Sequence, residues 1–557
     1  MTSKRRESLS LALLTCAAVC HAGCVRDRPP LPAGTLTVSV EQQASWVRNF
    51  NPLAPPGSQR WPAMGGVYEP LILFNTATGK YVPWLSDTQE WRDGGHILHM
   101  HIRENVLWSD GQPFGADDVV FTFQLLKKIP ALDRAGVWTF LSDVRKAAPD
   151  AVDFIFSRVY YPGLDDLAPQ PIVPEHIWSK LENPLTYTDE NPVATGPFTE
   201  VRFFQTQVFE LGKNPHYWQP GKPMIDALRM PALPSNERAN LGLVFDEIDW
   251  AGNFVPAIDR VFKSKNPNHG YWFPLTGTTV FLYANTARKP FDDVRVRRAI
   301  SLAIDRTLLI QVALYGYSRP SDNTALSDQY ATWREASVTA KNDWVLYDRA
   351  KAEALLDSAG LKRGEDGLRR DSSGKPIHYE VLTVSGWSDW VRAAQVIARN
   401  LREAGIDAQV RTYDFSAWYE RLQEGNFDLS LGWSVEGPTP YTFYRWLMSS
   451  KTVRPIGTPA IGNWPRYGSP AADTLLSAFE LEPDEAAQRK LVAGLEQVFA
   501  DEAPAIPLYP NPSWGEFNSS RFDGFPDAQH PYADLSPNKT PQTLFVLTTL
   551  SPKKPKP

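Results

Sequence analysis

Along the chain, stretches with the two-residue period of strands give way to stretches with the period of amphipathic helices. Thr35-Leu36-Thr37-Val38-Ser39-Val40 alternates polar and apolar residues, the pattern of a half-buried strand. Asp348 precedes Ala352, Leu355 and Leu356 at helical spacing, and Gly360 supplies a left-handed stop. Ser388 opens a longer segment in which Trp390, Ala394, Ile397, Leu401 and Ala404 share one face before Gly405. Asp414 to Gly425 repeats the device with Phe415, Trp418 and Leu422 inward. Short strands are predicted between these helices at Tyr379 to Val384, Ala408 to Thr412 and Phe427 to Leu431. Such alternation predicts an α/β fold with a mostly parallel sheet covered on both faces. Ligands of such sheets bind beyond the strand ends. No repeat of fixed period runs through the chain, which argues against solenoids and propellers.

The beginning of the chain has a different pattern. Lys4, Arg5 and Arg6 precede an apolar run from Leu9 to Cys20, followed by His21, Ala22, Gly23 and Cys24. This is the charged, apolar, small-residue order of a secretory signal. As a helix the run reaches about 18 Å, short of the ~30 Å of a bilayer core. Residues 1–24 are therefore expected to be a signal peptide, and residues 25–34, with three prolines, a tether. Ala22-Gly23-Cys24 resembles the end of a bacterial lipobox, with His21 where leucine is usual. Lipidation of Cys24 and plain cleavage after Ala22 or Gly23 both stand as readings. Either places the mature protein in the periplasm or cell envelope, with a lipid anchor in the first case.

Composition narrows the function. With 557 residues, 43% hydrophobic and 22% charged, the chain reads as a soluble protein of more than one domain. Its net charge of −6 contains no long like-charged block, so neither nucleic acid nor an anionic membrane surface is an expected partner. The expected ligand is small and neutral or zwitterionic, and the receptor a monomer. All three cysteines, Cys16, Cys20 and Cys24, lie in the signal region. The body therefore has no disulfide, no Cys-ligated metal and no cysteine nucleophile.

Catalytic motifs are missing as well. The sequence has no G-x-x-x-x-G-K-[ST], no G-x-S-x-G and no H-E-x-x-H. His96, His99 and His101 come nearest to a metal site, but Arg103 adjoins them and no third ligand is identifiable, so they read as strand histidines. Asp117-Asp118 and Asp292-Asp293 each precede a helical pattern and read as caps. No enzymatic activity, cofactor or metal is expected. An extracytoplasmic hydrolase stays as the remote alternative, because two carboxylates brought about 5–9 Å apart by folding need no motif.

Several segments together carry a family resemblance. Trp91-x-Asp93-Gly94-Gly95, then His101 to Val120 with Trp108-Ser109-Asp110-Gly111-Gln112-Pro113 at its centre, is similar to the signature segment of the family 5 solute-binding proteins. These are the oligopeptide- and dipeptide-binding receptors of bacterial ABC importers. The resemblance continues in order through Ala194-Thr195-Gly196-Pro197-Phe198, Lys213 to Trp218, Phe291 to Ile300 and Ala303-Ile304-Asp305-Arg306. Read physically, Trp108 to Pro113 is a turn and Phe291 to Arg306 a capped amphipathic helix with solvated or paired arginines, so both are scaffold rather than site.

The resemblance implies a two-lobed periplasmic-binding-protein fold of the large, type II peptide-binding class, with the ligand enclosed between lobes. Lobe I would be discontinuous, comprising 35–55, 185–285 and 505–550, with an extra subdomain at 56–184. Lobe II would span 286–504, with hinges near Val280 to Thr286 and Ala503 to Pro510. It further implies that Gly432-Trp433-Ser434-Val435-Glu436 lines the cleft. In peptide receptors of the family an aspartate at the Glu436 position pairs with the peptide's ammonium; here the carboxylate is one methylene longer.

The 19 tryptophans add a second clue. Trp46 lies near Asn51, Trp250 near Asn253, Trp387 beside Gly386, and Trp514 between Pro512 and Gly515. Indoles flanked by amides suit the stacking and hydrogen bonding of a sugar. The ligand-binding candidates are therefore Trp433, Glu436, Trp46, Asn51, Trp250, Asn253, Trp387 and Trp514, while Trp418 and Trp446 read as core. The leading expectation is an oligopeptide receptor of an ABC importer, partnered by its permease subunits. A receptor for a cello-oligosaccharide-like ligand is the alternative.

Overall fold

A computed structural model describes residues 33–553 of the protein, apart from residue 41, residues 55–62 and residue 342. The signal region, Cys24 and most of the tether lie outside the described residues. Two large sheets organise the rest. The first has seven strands, in the order His269–Tyr271, Glu516–Asn518, Trp250–Ala251, Thr35–Ser39, Ala227–Pro231, Val208–Lys213 and Phe198–Gln205. Thr35–Ser39 is buried along its whole length, at the centre of this sheet. It runs parallel to both its neighbours, while the outer pairs are antiparallel.

The second sheet has five strands, ordered Asp407–Tyr413, His378–Val384, Leu429–Trp433, Thr279–Ala284 and Ile506–Pro510. His378–Val384 is parallel to both its neighbours, as the strand and helix alternation predicts. Thr279–Ala284 is antiparallel to both of its own. The sheet is thus mixed rather than mostly parallel, because Thr279–Ala284 arrives directly from the first sheet and not through a helical crossover.

Local chemistry explains the helices. Asp348 and Asp414 cap Arg349–Ser358 and Phe415–Glu424 by accepting from Lys351 N at 2.9 Å and Ala417 N at 3.1 Å. Gly360, Gly405 and Gly425 all have positive φ just past helix ends. The helix Ser388–Glu403 begins one residue differently, with Trp387 at the cap position. Two arginines also depart from expectation. Arg297 and Arg306 are buried, not solvated, and satisfied by main-chain carbonyls, among them Ala503 O for Arg297 and Pro507 O for Arg306. Each ties its helix to the chain entering the edge strand Ile506–Pro510.

The stretch expected as a subdomain carries an antiparallel sheet of Ser86–Arg92, Ile97–Ile102, Ala151–Phe156 and Leu141–Ala148. It packs against the helix Ala116–Lys128. Asp118 accepts from Gly115 N at 3.0 Å and Trp108 Nε1 at 3.3 Å, which fixes the signature turn to the helix start. His99 meets Asp153 at 2.7 Å, and His101 meets Asp87 at 2.7 Å and Asp150 at 3.0 Å. These imidazoles are engaged by carboxylates of the same sheet.

The crossings between lobes are displaced from the expected places. Residues 280–284 and 506–510 lie inside strands of the second sheet, so the chain passes between sheets at 272–278 and 511–515. The two passages are bonded to each other, by Trp272 N to Gly515 O at 2.9 Å, Ser513 N to Pro274 O at 2.8 Å and Asn511 N to Thr278 O at 2.7 Å. They form one two-stranded ribbon. The strand Thr279–Ala284 is apolar and fully buried, as a central sheet strand must be, and that disqualifies it as a flexible joint.

Candidate functional site

A cavity of about 260 Å³ lies between the sheets, against this ribbon. Its aromatic wall comes from both lobes. The second lobe contributes Trp387, Trp390 and Trp433; Phe254 of the first lobe and Trp514 of the ribbon face them. Trp433 ends its strand, and its ring lies parallel to Phe415, 6.3 Å away, and within 10° of parallel to Tyr419. Trp387 meets Trp390 edge-on at 4.8 Å, and Trp514 meets Phe273 the same way at 4.8 Å. The indoles are thus held rigid by other rings behind them.

Five amides belong to the polar lining: Gln42, Asn236, Asn253, Asn511 and Asn538. Three of their buried atoms, Gln42 Nε2, Asn253 Oδ1 and Asn511 Oδ1, have no protein partner among the described residues. Buried donors and acceptors of this kind are costly unless something completes them. Asp389 also faces the cavity, at the start of the helix Ser388–Glu403. Burial pushes its carboxyl up to about 6, against the pull of its own and Trp390's backbone N–H and of Asn236.

Glu436 lines the same cavity, but one oxygen of its carboxylate already has a cation. It is ion-paired with Lys539, from the C-terminal segment that returns to the first lobe. Burial raises the Glu436 carboxyl, and the Lys539 ammonium opposes that rise. The pair spans the gap between lobes. Asn236 spans it too, through its N–H to Gly386 O at 3.1 Å and its Nδ2 to Asp389 Oδ1 at 3.2 Å. Farther out, Arg445 grips Asp166 at 3.0 and 3.1 Å, and Arg158 meets Glu480 at 2.6 Å. The lobes are closed on each other.

Of the candidates from sequence, Trp433, Glu436, Asn253, Trp387 and Trp514 come together at the cavity. Three do not. Trp46 is buried in the first lobe, edge-on to Phe209 at 5.2 Å. Asn51 is wholly buried and organises a turn, donating to Pro184 O and Tyr187 O and accepting from Leu53 N. Trp250 is a sheet residue with no exposure, its Nε1 donating to Leu535 O at 2.6 Å. Trp418 is core, and Trp446 is partly buried against Trp464 at 4.7 Å. Sequence reasoning missed Trp390, Asn511, Asp389 and Lys539. Asn511 had a signal, since it opens the Asn-Pro-Ser-Trp run that ends at Trp514. Lys539 had none, standing 103 residues from its partner.

Comparison with known proteins settles the family. Residues 80–454 match the model of the bacterial extracellular solute-binding proteins, family 5 (middle region). The chain belongs to that family. As a family 5 solute-binding protein it is a receptor and not an enzyme. It is 28% identical to a nickel-binding periplasmic protein of Escherichia coli over 450 residues, 77% of this chain and 79% of that one. It is 25% identical to the dipeptide-binding protein of E. coli, over 82% and 86% of the two chains. A solved structure from Thermotoga maritima, a periplasmic oligopeptide-binding protein of an ABC transporter with mannohexaose bound, superposes with a TM-score of 0.85. It is 26% identical and covers 95% of this chain and 100% of its own. Among the described residues no helix is long and apolar enough to cross a membrane, and no three His, Asp or Glu side chains are grouped to hold a metal ion.

Proposed function

We propose that this solute-binding protein captures a neutral oligosaccharide between its lobes and delivers it, from the periplasmic side, to the permease of an ABC importer. It does so as a monomer, anchored through Cys24 if that cysteine is lipidated. The observation that carries the choice of ligand is the Glu436–Lys539 pair: the carboxylate expected to take a peptide's ammonium already has an internal cation. A peptide terminus would have to compete with that lysine in a half-buried pair. Around the pair lie indoles, amides and hydroxyls, surfaces that stack on sugar rings and bond their hydroxyls in either direction, together with the Asp389 carboxyl, which can accept from a hydroxyl. The mannohexaose bound to the T. maritima relative supports the same reading. Lobe closure supplies the signal. Ligand contacts made by Trp387 and Trp390 from one side and Phe254 from the other exist together only in the closed form, so binding shifts the population toward it.

An oligopeptide is the second reading, favoured by the dipeptide-binding relative. Native mass spectrometry of the protein purified from its source without stripping ligand separates the two. A ladder of adducts spaced by one hexose supports the proposal; an adduct of peptide mass overturns it. Trp514→Leu and Trp387→Leu, which keep apolar bulk but remove the indole, are each expected to weaken mannohexaose binding about 30-fold, near 2 kcal/mol. Titration calorimetry checks this, and unchanged affinity would remove the residue from the site.

A further inference from the structure

The interlobe space does not end at the Glu436–Lys539 pair. A second cavity, of about 350 Å³, lies on its other side, and Glu436, Asn538 and Lys539 line both. The partition between the cavities is therefore partly two side chains, one from each lobe. By itself the first cavity is smaller than the ~300–1,000 Å³ usual for a ligand site, whereas the two together fall within that range.

The far cavity offers the same kinds of surface in a different arrangement. Phe74 and Tyr81 line it, their rings meeting edge-on at 5.3 Å, together with Gln542 and Asp165. Tyr81 donates its hydroxyl to Asp165. Among the described residues Asp165 forms no ion pair, because its neighbour Asp166 takes the guanidinium of Arg445 through both oxygens. We propose that this second cavity is an extension subsite, which takes the further hexose units of a ligand that runs alongside the intact Glu436–Lys539 pair and whose first units occupy the tryptophan-lined cavity. Asp165 accepts hydroxyl hydrogen bonds there, and Phe74 and Tyr81 provide the apolar wall.

The inference rests on the oligosaccharide reading and adds to it a length preference and a direction. A carboxylate with a phenol on one side and lone pairs remaining is matched by neighbouring hydroxyls of a sugar.

Titration calorimetry with β-1,4-linked mannose and glucose oligomers, dimer through hexamer, and with glucosamine oligomers of the same lengths, tests this. In the unaltered protein the hexamer is expected to bind at least about tenfold more tightly than the dimer. Asp165→Asn, which keeps an acceptor for Tyr81, and Phe74→Leu should each reduce that gain and leave the dimer unaffected. Equal affinity for dimer and hexamer, or variants that weaken both alike, would overturn the subsite. A preference for glucosamine oligomers that Asp165→Asn abolishes would overturn the hydroxyl role and make Asp165 an ammonium site. Failure of every oligomer at every length would remove the oligosaccharide reading and this subsite with it, whereas dimer binding without a length gain removes the subsite alone.

Discussion

Lys539→Met is expected to destabilise the folded protein by about 2 kcal/mol at pH 8, because it leaves the half-buried Glu436 carboxylate between the lobes without its cation. The loss should depend on pH in a defined direction. Without the lysine, the folded-state pKa of Glu436 moves farther above its unfolded value. A carboxyl raised in this way favours the fold fully below the unfolded pKa and loses that advantage as pH rises through the folded one. The variant's deficit should therefore be greatest at pH 8 and shrink toward pH 4. Lys539→Met combined with Glu436→Gln should return to within about 1 kcal/mol of the parent, since a buried pair and its neutral replacement are often near equal. Urea denaturation of the parent, Lys539→Met, Glu436→Gln and the double variant at both pH values completes the cycle. A deficit equal at both pH values would mean that the pair is solvated.

The second large effect concerns the whole molecule. Several acids are buried without a cation. Glu69, with no exposure, accepts from Trp84 Nε1 at 2.8 Å, Trp218 Nε1 at 3.0 Å and Tyr217 OH at 3.0 Å, yet burial pushes it up to about 7. Glu496 is likewise pushed up to about 7, and Asp389 to about 6. Each has a folded pKa above its unfolded one, so the native state holds extra protons between about pH 4.5 and 7. Stability should fall across that window by an amount on the order of 5 kcal/mol, and the optimum should lie near pH 5. Asp293 and Asp328, whose pKa values are lowered, act only at more acidic pH and do not oppose this. Urea midpoints at pH 5 and 8 test the sign. A higher midpoint at pH 8 would show that these acids stay ionised in the fold.

Legibility in the sequence followed the range of the interactions. Asp348, Asp414 and the glycines after their helices act on atoms three to five residues away, and these helices could be read directly. The strands from Tyr379 to Leu431 carry their pattern within themselves and were equally plain. The cleft was harder, because a tryptophan in a Gly- or Pro-rich stretch has the same local signature whether it faces ligand or core. Trp514 and Trp250 look alike in sequence; what separates them is Leu535, whose carbonyl lies 285 residues from the Trp250 indole it receives. Asn51 imitates a ligand amide because turn-forming and ligand-binding use the same donor. Trp433 was legible as a cleft residue but not as part of a stack with Phe415 and Tyr419, so its removal would confuse lost binding with lost packing. The hinge was misplaced for a related reason: residues 280–284 have the composition of a buried strand, and a chain crossing between lobes carries no pattern of its own.

The described chain begins and ends on the same lobe. Thr35–Ser39 is central to the first sheet, and Ser551–Pro552 pairs with Phe522–Asp523 just beyond the first-sheet strand Glu516–Asn518. Optical reporters placed at the two ends of the described residues would therefore ride together and record nothing as the cleft closes. A sensor built from this protein needs one dye on the far body, for which the exposed turn at Asp371 to Lys375 is suited, with Gly374 already at positive φ and no contact with the cleft to disturb. The second dye then belongs at either end of the described residues.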